Sequence, residues 1–356
     1  MKTVKYIALA ALLCLAACQK PLTPEKPTNY VNLPDGITMK LNDVGEYSVF
    51  ARYTDALITG AIEFVGNPES FPADYAQNLI VELVYGKDSE NLDKIASCTL
   101  SDPESASWLT TVPFSAELNG LSDGSEYWFT AKAYYGEDKS IDNPATKFFT
   151  FPVGPVDLDL ESGTLWASSN MGADFPGLSG DYYAWADTEP QESYYWPFYQ
   201  WCHWRNPEFA LTKYCNFALW GDNGFVDDKT VMDSSDDPAI QINGEGWHTP
   251  TLDQWTELNT QAKWTAGLVG EVKGWFVRSK SDPENNRKVI FLPCAGHMEK
   301  EELKGENSDG SYWSANVYES TCFQAYSFEF NATTKHSAAS SQIRCNGLSI
   351  RPVKDK

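Results

Sequence analysis

Tyr127-Trp-Phe129-Thr-Ala131-Lys-Ala133-Tyr-Tyr135-Gly136 decides how the first half of the chain folds, because apolar residues recur at every second position until a glycine stops the run. A period of two marks a strand with one buried face. Leu79, Val81, Leu83 and Tyr85 repeat the pattern and run into the turn Gly86-Lys87-Asp88. Upstream, Ile37, Met39 and Leu41 alternate with Thr38, Lys40 and Asn42, and Tyr47, Val49, Ala51 and Tyr53 with Ser48, Arg52 and Thr54. Short strands separated by turn residues across 30–152 predict a β-sandwich.

Phe151-Pro-Val-Gly-Pro155 reads as a short linker, and beyond it the texture changes over 154–354. Tryptophans become frequent and long clean alternation becomes rare. Thr251-Leu-Asp-Gln254 is a capping box, in which threonine accepts from an early backbone N–H while glutamine reaches back to the cap. Leu252, Trp255 and Leu258 supply the apolar stripe of the helix it opens. Tyr326, Phe328 and Phe330 alternate with Ser327 and Glu329, and Leu348 and Ile350 fall on one side of a last strand.

The chain carries 27 Lys+Arg against 49 Asp+Glu, a formal charge of −22. That sign argues against nucleic acid and anionic lipid surfaces as partners. At the N-terminus Lys2 and Lys5 precede an apolar run from Tyr6 to Ala17 and then Leu15-Ala-Ala-Cys18. The run is shorter than the roughly 20 residues a membrane span needs, and the order basic, apolar, small is that of a cleaved export signal over 1–17. Without Lys2 and Lys5 the count becomes 25 against 49, about −24. Residues 18–29, rich in proline, read as an extended tether.

Three resemblances add to this reading. Leu15-Ala-Ala-Cys18 resembles the bacterial lipobox, which implies that Cys18 is diacylated and anchors the protein to a membrane; the missing Asp after Cys18 implies the outer membrane, with its periplasmic and cell-surface faces both open. Secretion with Cys18 left free is the alternative. Phe114-Ser-Ala-Glu-Leu118-Asn-Gly-Leu121-Ser-Asp-Gly124-Ser-Glu-Tyr127-Trp-Phe129 resembles the fibronectin type III pattern, which implies a tyrosine corner at Tyr127 and a module that acts as a spacer, with a binding role of its own as the alternative. In the second unit, Gly180-Asp-Tyr-Tyr-Ala-Trp185-Ala-Asp187, Gly246-Trp-His-Thr-Pro-Thr251, Ile290-Phe-Leu-Pro293-Cys-Ala-Gly296, Tyr312-Trp-Ser314 and Gly347-Leu-Ser-Ile-Arg-Pro-Val353 resemble, in their order, the Fibrobacter succinogenes major paralogous domain of Bacteroidetes lipoproteins. Two positions depart from that family: His248 stands where its arginine is usual, and Ala186-Asp187 replaces a glycine-glutamate. The family is similar to the C-type-lectin-like fold, which also underlies formylglycine-generating enzymes. The expected fold class is therefore mixed β and α+β, an N-terminal β-sandwich of fibronectin type III or immunoglobulin-like kind followed by a C-type-lectin-like α+β domain.

Candidate chemistry concentrates in the second unit. Tyr194, Tyr195, Trp196, Tyr199, Trp201 and Trp204 would form a ligand platform if their rings are exposed, since exposed apolar clusters mark binding surfaces; packing into the core is the other reading. Asp227, Asp228, Asp233, Asp236 and Asp237 lie close enough in sequence to offer Ca²⁺ its six to eight oxygens, although the spacing fits no EF-hand; a solvated, self-capping loop is the other reading. Cys202 and Cys215 could form a local disulfide, while free buried thiols are the reading for most of the cysteines. If the flanking strands made a tight hairpin, Cys345 would lie opposite Phe328, about 20 Å along the strand from Cys322, beyond the roughly 7 Å that a disulfide tolerates between Cα atoms. His203, His248, His297 and His336 show no short metal spacing, and no GxSxG elbow or P-loop occurs. The expectation is a non-enzymatic, lipid-anchored envelope protein for binding or adhesion, with a glycan or a protein surface as ligand. The competing expectations are an envelope enzyme related to the formylglycine generators and a structural subunit of a surface assembly.

Overall fold

A computed structural model describes residues 33–42, 44–45, 48–136, 139–205, 208–334 and 340–356. Cys18, the signal at 1–17 and the tether at 18–29 lie outside the described residues, as do Tyr47 and His336. Strand dominates, and helix is confined to short segments.

In the first unit the alternating segments form two antiparallel sheets. One runs β1 (Thr38–Asn42), β3 (Asp55–Val65), β8 (Leu109–Asn119), β6 (Thr99–Leu100), with β2 (Val49–Ala51) on β3 and β7 (Glu104–Ala106) on β8. The other runs β10 (Lys139–Asp142), β9 (Glu126–Tyr135), β4 (Leu79–Gly86), β5 (Lys94–Ser97), with β11 (Thr146–Phe149) on β9. Tyr127, Phe129, Ala131, Ala133 and Tyr135 all point inward, as do Leu79, Val81, Leu83 and Tyr85 from the neighbouring strand. They meet Ile58, Ile62, Phe64, Val112, Phe114 and Leu118 of the other sheet in one core, the face-to-face packing of a sandwich. The Tyr127 hydroxyl accepts from the Ser122 N–H at 2.8 Å, fastening the turn that leads into β9.

The second unit is assembled from small sheets. Val156–Asp157, Leu165–Trp166, Val353–Lys354 and Trp247–His248 form one, which ties the unit's first residues to its last. Lys263–Val269, Val272–Arg278 and Val289–Pro293 form a second, and Asp309–Val317, Gln324–Asn331 and Ser340–Ile343 a third. The capping box forms as the residues dictate, and Thr251 opens the helix Leu252–Gln261, whose buried Trp255 stacks on Phe328 at 4.8 Å and donates its indole N–H to the Trp313 carbonyl. Leu348 and Ile350 are buried, but they belong to no continuous strand. Single bridges link Gly347 to Met298, Leu348 to Tyr183 and Ser349 to Tyr312, so this segment threads between three partners and is covered on every side.

The junction between the units is packed. Phe151 of the linker segment is 1% exposed and lies with Phe149 against Phe276 and Phe291. Val269 and Val289 complete this apolar seam. Around it, the Gly270 N–H donates to the Val49 carbonyl, Tyr53 and Ser168 share a hydroxyl hydrogen bond, and Arg287 pairs with Asp123 at 3.2 Å. Gly270 has φ +60° and faces Phe50 so closely that a Cβ would come within 2.5 Å of the ring. Any side chain there would both strain the turn and push the units apart.

Candidate functional site

The antiparallel hairpin Cys202–Trp204 and Phe209–Leu211 opens an irregular stretch of the second unit. Leu211 bridges forward to Gly221, which brings the turn at Phe217–Trp220 and the short helix Asp222–Gly224 against the hairpin. Asp222 clamps the two together, accepting from Arg205 at 2.5 Å and bonding the His203 Nδ1 at 2.8 Å. Gly221 is required by contact, since a Cβ there would stand 1.8 Å from the Phe225 carbonyl oxygen.

Two kinds of aromatic side chain follow from this arrangement. Trp196, Phe209 and Trp220 stack as nearly parallel rings, with centroids 4.0 and 5.6 Å apart, and Phe323 caps Trp220 edge-on. Both faces of Phe209 are therefore covered, and this ladder packs the stretch onto the body of the unit. Other rings and aliphatic chains meet solvent, among them Trp204, Phe217 at 57% exposed, Leu219 at 75%, Phe225 and Val226. All five come from the hairpin and the turn locked to it.

The platform expected from sequence is thus only partly a surface. Tyr194 and Tyr199 are buried and correct that expectation. The Tyr194 hydroxyl donates to the Tyr182 carbonyl, and the Tyr199 hydroxyl donates to the Trp185 carbonyl while accepting from Arg344. Trp201 is half-buried with its indole N–H on the Ala186 carbonyl, Tyr195 leans on Phe198, and Trp204 alone of the six is exposed. Phe217, Leu219, Phe225 and Val226 were not singled out from sequence. The available signal was a scatter of large apolar residues in a turn-rich, acidic segment with no strand or helix period to bury them.

The acidic residues do not converge on one point. Asp227 accepts from the Tyr214 and Cys215 backbone N–H groups at 2.9 and 2.8 Å. Asp237 caps the helix Pro238–Asn243 through Ala239 and accepts from both the backbone and the hydroxyl of Thr249. Lys213 reaches Asp236 at 2.5 Å and Asp233 at 2.6 Å, Lys229 also pairs with Asp233, and the Tyr214 hydroxyl donates to Asp236. Asp228 is exposed at φ +51°, apart from these partners. Four of the five carboxylates, those of Asp227, Asp233, Asp236 and Asp237, are thus already acceptors for other groups, which counts against the Ca²⁺ reading, and among the described residues no three His, Cys, Asp or Glu side chains gather as a metal site.

Cys202 and Cys215 are not bonded to each other either: both thiols are free, and Cys202 pairs across the hairpin with Leu211. Cys215 stands instead against Cys322, with the sulfurs 3.2 Å apart. The register of the third sheet also differs from the tight hairpin read from sequence: Gln324 pairs with Ile343 at the strand ends, and Cys322 and Cys345 each lie two residues outside that pair. The loop between these strands is longer than a tight turn, and a longer loop shifts every pair.

Below this surface lie two buried ionisable side chains. Arg344 is wholly buried among the rings of Trp185, Tyr199 and Tyr214 and donates to the carbonyls of Lys213, Tyr214 and Cys322. Asp187 is 1% exposed and its Oδ1 accepts no hydrogen bond. Burial pushes its carboxyl up to about 7, against the pull of Gln200, Arg344 and Gln191.

Residues 273–353 match the family model of a domain of unknown function, DUF8237. No curated protein matches the chain. The matched span contains most of the second and third sheets with Arg344 and Arg351, and it leaves out the hairpin and turn that carry the exposed apolar side chains.

Proposed function

We propose that this is a non-enzymatic, lipid-anchored envelope protein that uses the hairpin and turn of its second unit to bind a glycan or a protein surface. The observation that carries this is the exposure of Trp204, Phe217, Leu219, Phe225 and Val226 together on a frame held by the Asp222 clamp and the Trp196–Phe209–Trp220 ladder. Such side chains cost solubility when left in water, and grouped exposed apolar residues mark interaction sites. The mixture of aromatic and aliphatic side chains favours a protein surface over a sugar face, which aromatic rings alone would serve.

The anchor in this proposal is the lipobox cysteine, Cys18. The fibronectin type III-like reading of the first unit draws support from the Tyr127–Ser122 contact and the two-sheet core, and the packed seam suits a spacer that holds the second unit in a fixed attitude. A C-type-lectin-like reading of the second unit is supported by its small sheets, few helices and long surface stretch. The enzyme alternative requires a reachable, reactive cysteine. Cys215, Cys294, Cys322 and Cys345 are buried, and Cys202, the half-buried cysteine of this unit, has its thiol pushed up to about 11 by desolvation, which favours the binding reading.

The test compares residues 30–356 with a Phe217→Ser/Leu219→Ser variant on a glycan array and in pull-downs from envelope extracts. Binding that the variant loses, at an unchanged melting temperature, supports the proposal. Absence of any bound glycan or protein, or equal binding by both chains, refutes it, and a stable multi-protein complex retained by the variant would favour the structural-subunit alternative.

A further inference from the structure

We infer that Cys215 and Cys322 form a disulfide when the chain folds in an oxidising environment, and that this bond fastens the exposed apolar turn to the third sheet. Both side chains are fully buried, and their sulfurs lie 3.2 Å apart. An S–S bond is about 2.05 Å long, so the sulfurs close by a little over 1 Å, a small rotation of each side chain. In doing so Cys215 gives up only the weak contact from its thiol to the Phe217 carbonyl. The two residues are 107 positions apart in sequence, so the bond joins the irregular stretch to the strand Gln324–Asn331 across a long loop.

The chemistry is a two-step exchange with an external disulfide, either a small-molecule disulfide of the glutathione class or a dithiol oxidase. One cysteine, as thiolate, attacks a sulfur of that disulfide to give a mixed disulfide and releases one thiolate. The second cysteine then attacks the protein sulfur of the mixed disulfide and displaces the other thiolate. The external disulfide takes up both electrons and both protons and leaves as two thiols. Because neither cysteine is reachable after folding, and burial suppresses the thiolate of Cys215, the exchange belongs to the folding chain. The same burial shields the finished bond from reductants.

This pairing is independent of the binding proposal, since it rests on the two sulfurs and not on what the turn contacts. The full-length chain, extracted in detergent, is unfolded and refolded either with a reduced/oxidised glutathione pair or with dithiothreitol, alkylated, and mapped by mass spectrometry without reduction. The expected result is a Cys215–Cys322 linked peptide only after refolding with glutathione, and a melting temperature higher by roughly 5–10 °C than that of the reduced chain. In Cys215→Ala and in Cys322→Ala the link and the increment should both vanish. Free Cys215 and Cys322 after oxidative refolding, or linkage of either to Cys202 or Cys345, would overturn the pairing. A Cys215–Cys322 link whose reduction leaves the melting temperature unchanged would overturn its anchoring role.

Discussion

Replacing Asp187 with asparagine should make the protein more stable, and increasingly so as the pH rises. Asp187 is buried beside the aromatic pocket of Arg344, with one carboxylate oxygen accepting nothing. Its carboxyl is raised from 3.8 to about 7 in the folded chain, chiefly by desolvation. At about 1.4 kcal/mol per unit, that difference corresponds to about 4 kcal/mol. Its sign follows from the direction. A raised folded value means that the folded state favours the protonated form, so the full stability is present below about pH 4 and is lost as the pH climbs through about 7. Asparagine keeps the shape and cannot ionise. Urea unfolding of residues 30–356, followed by tryptophan fluorescence from pH 5.5 to 8.5, stays above the sequence pI of about 4.5. Over that range the stability gap between Asp187→Asn and the parent should widen by about 2 kcal/mol. Carboxylates held low by cations, such as Asp159 and Asp233, titrate alike in both chains and cancel in the difference. A gap that stays constant with pH would mean that Asp187 is not raised, and the reasoning from its burial would fail.

Two further substitutions probe the frame. Phe151→Ala empties the seam between the units and should cost about 3–5 kcal/mol, with protease cleavage appearing within 151–155; a chain that resists the protease as the parent does would show that the seam does not hold the units together. Arg351, wholly buried and held down to about 10 by desolvation, donates to Asn170 and to the carbonyls of Ala167, Ser168 and Phe291. Arg351→Met strands those acceptors at about 1–3 kcal/mol each and should lower stability by more than about 3 kcal/mol, so a loss under about 1 kcal/mol in urea unfolding would refute that assignment.

Where a local rule is strong, the amino-acid sequence was sufficient. Alternation in Leu79–Tyr85 and Tyr127–Tyr135 predicted both the strands and the face they bury, because the side-chain period of a strand leaves one face for the core. The capping box at Thr251 and Gln254 predicted a helix start to the residue, because both hydrogen bonds are made within one turn. The acidic turn and the aromatic run carried no such rule. Their residue types promised a cation site and a platform, whereas fold-level partners decided each fate: Lys213, Thr249 and backbone N–H groups took the carboxylates, and Arg344 with the Trp185 carbonyl drew Tyr199 inward.

Composition and local periodicity alone established a strongly acidic chain that is strand-rich in its first unit. Tertiary structure decided which cysteine faces which, which rings stay in water, and that Phe151 lies in a packed seam. Those outcomes depend on contacts between residues more than a hundred positions apart. Loop length sets the register of such contacts, and burial sets their energy, and neither is written in the neighbourhood of any one residue.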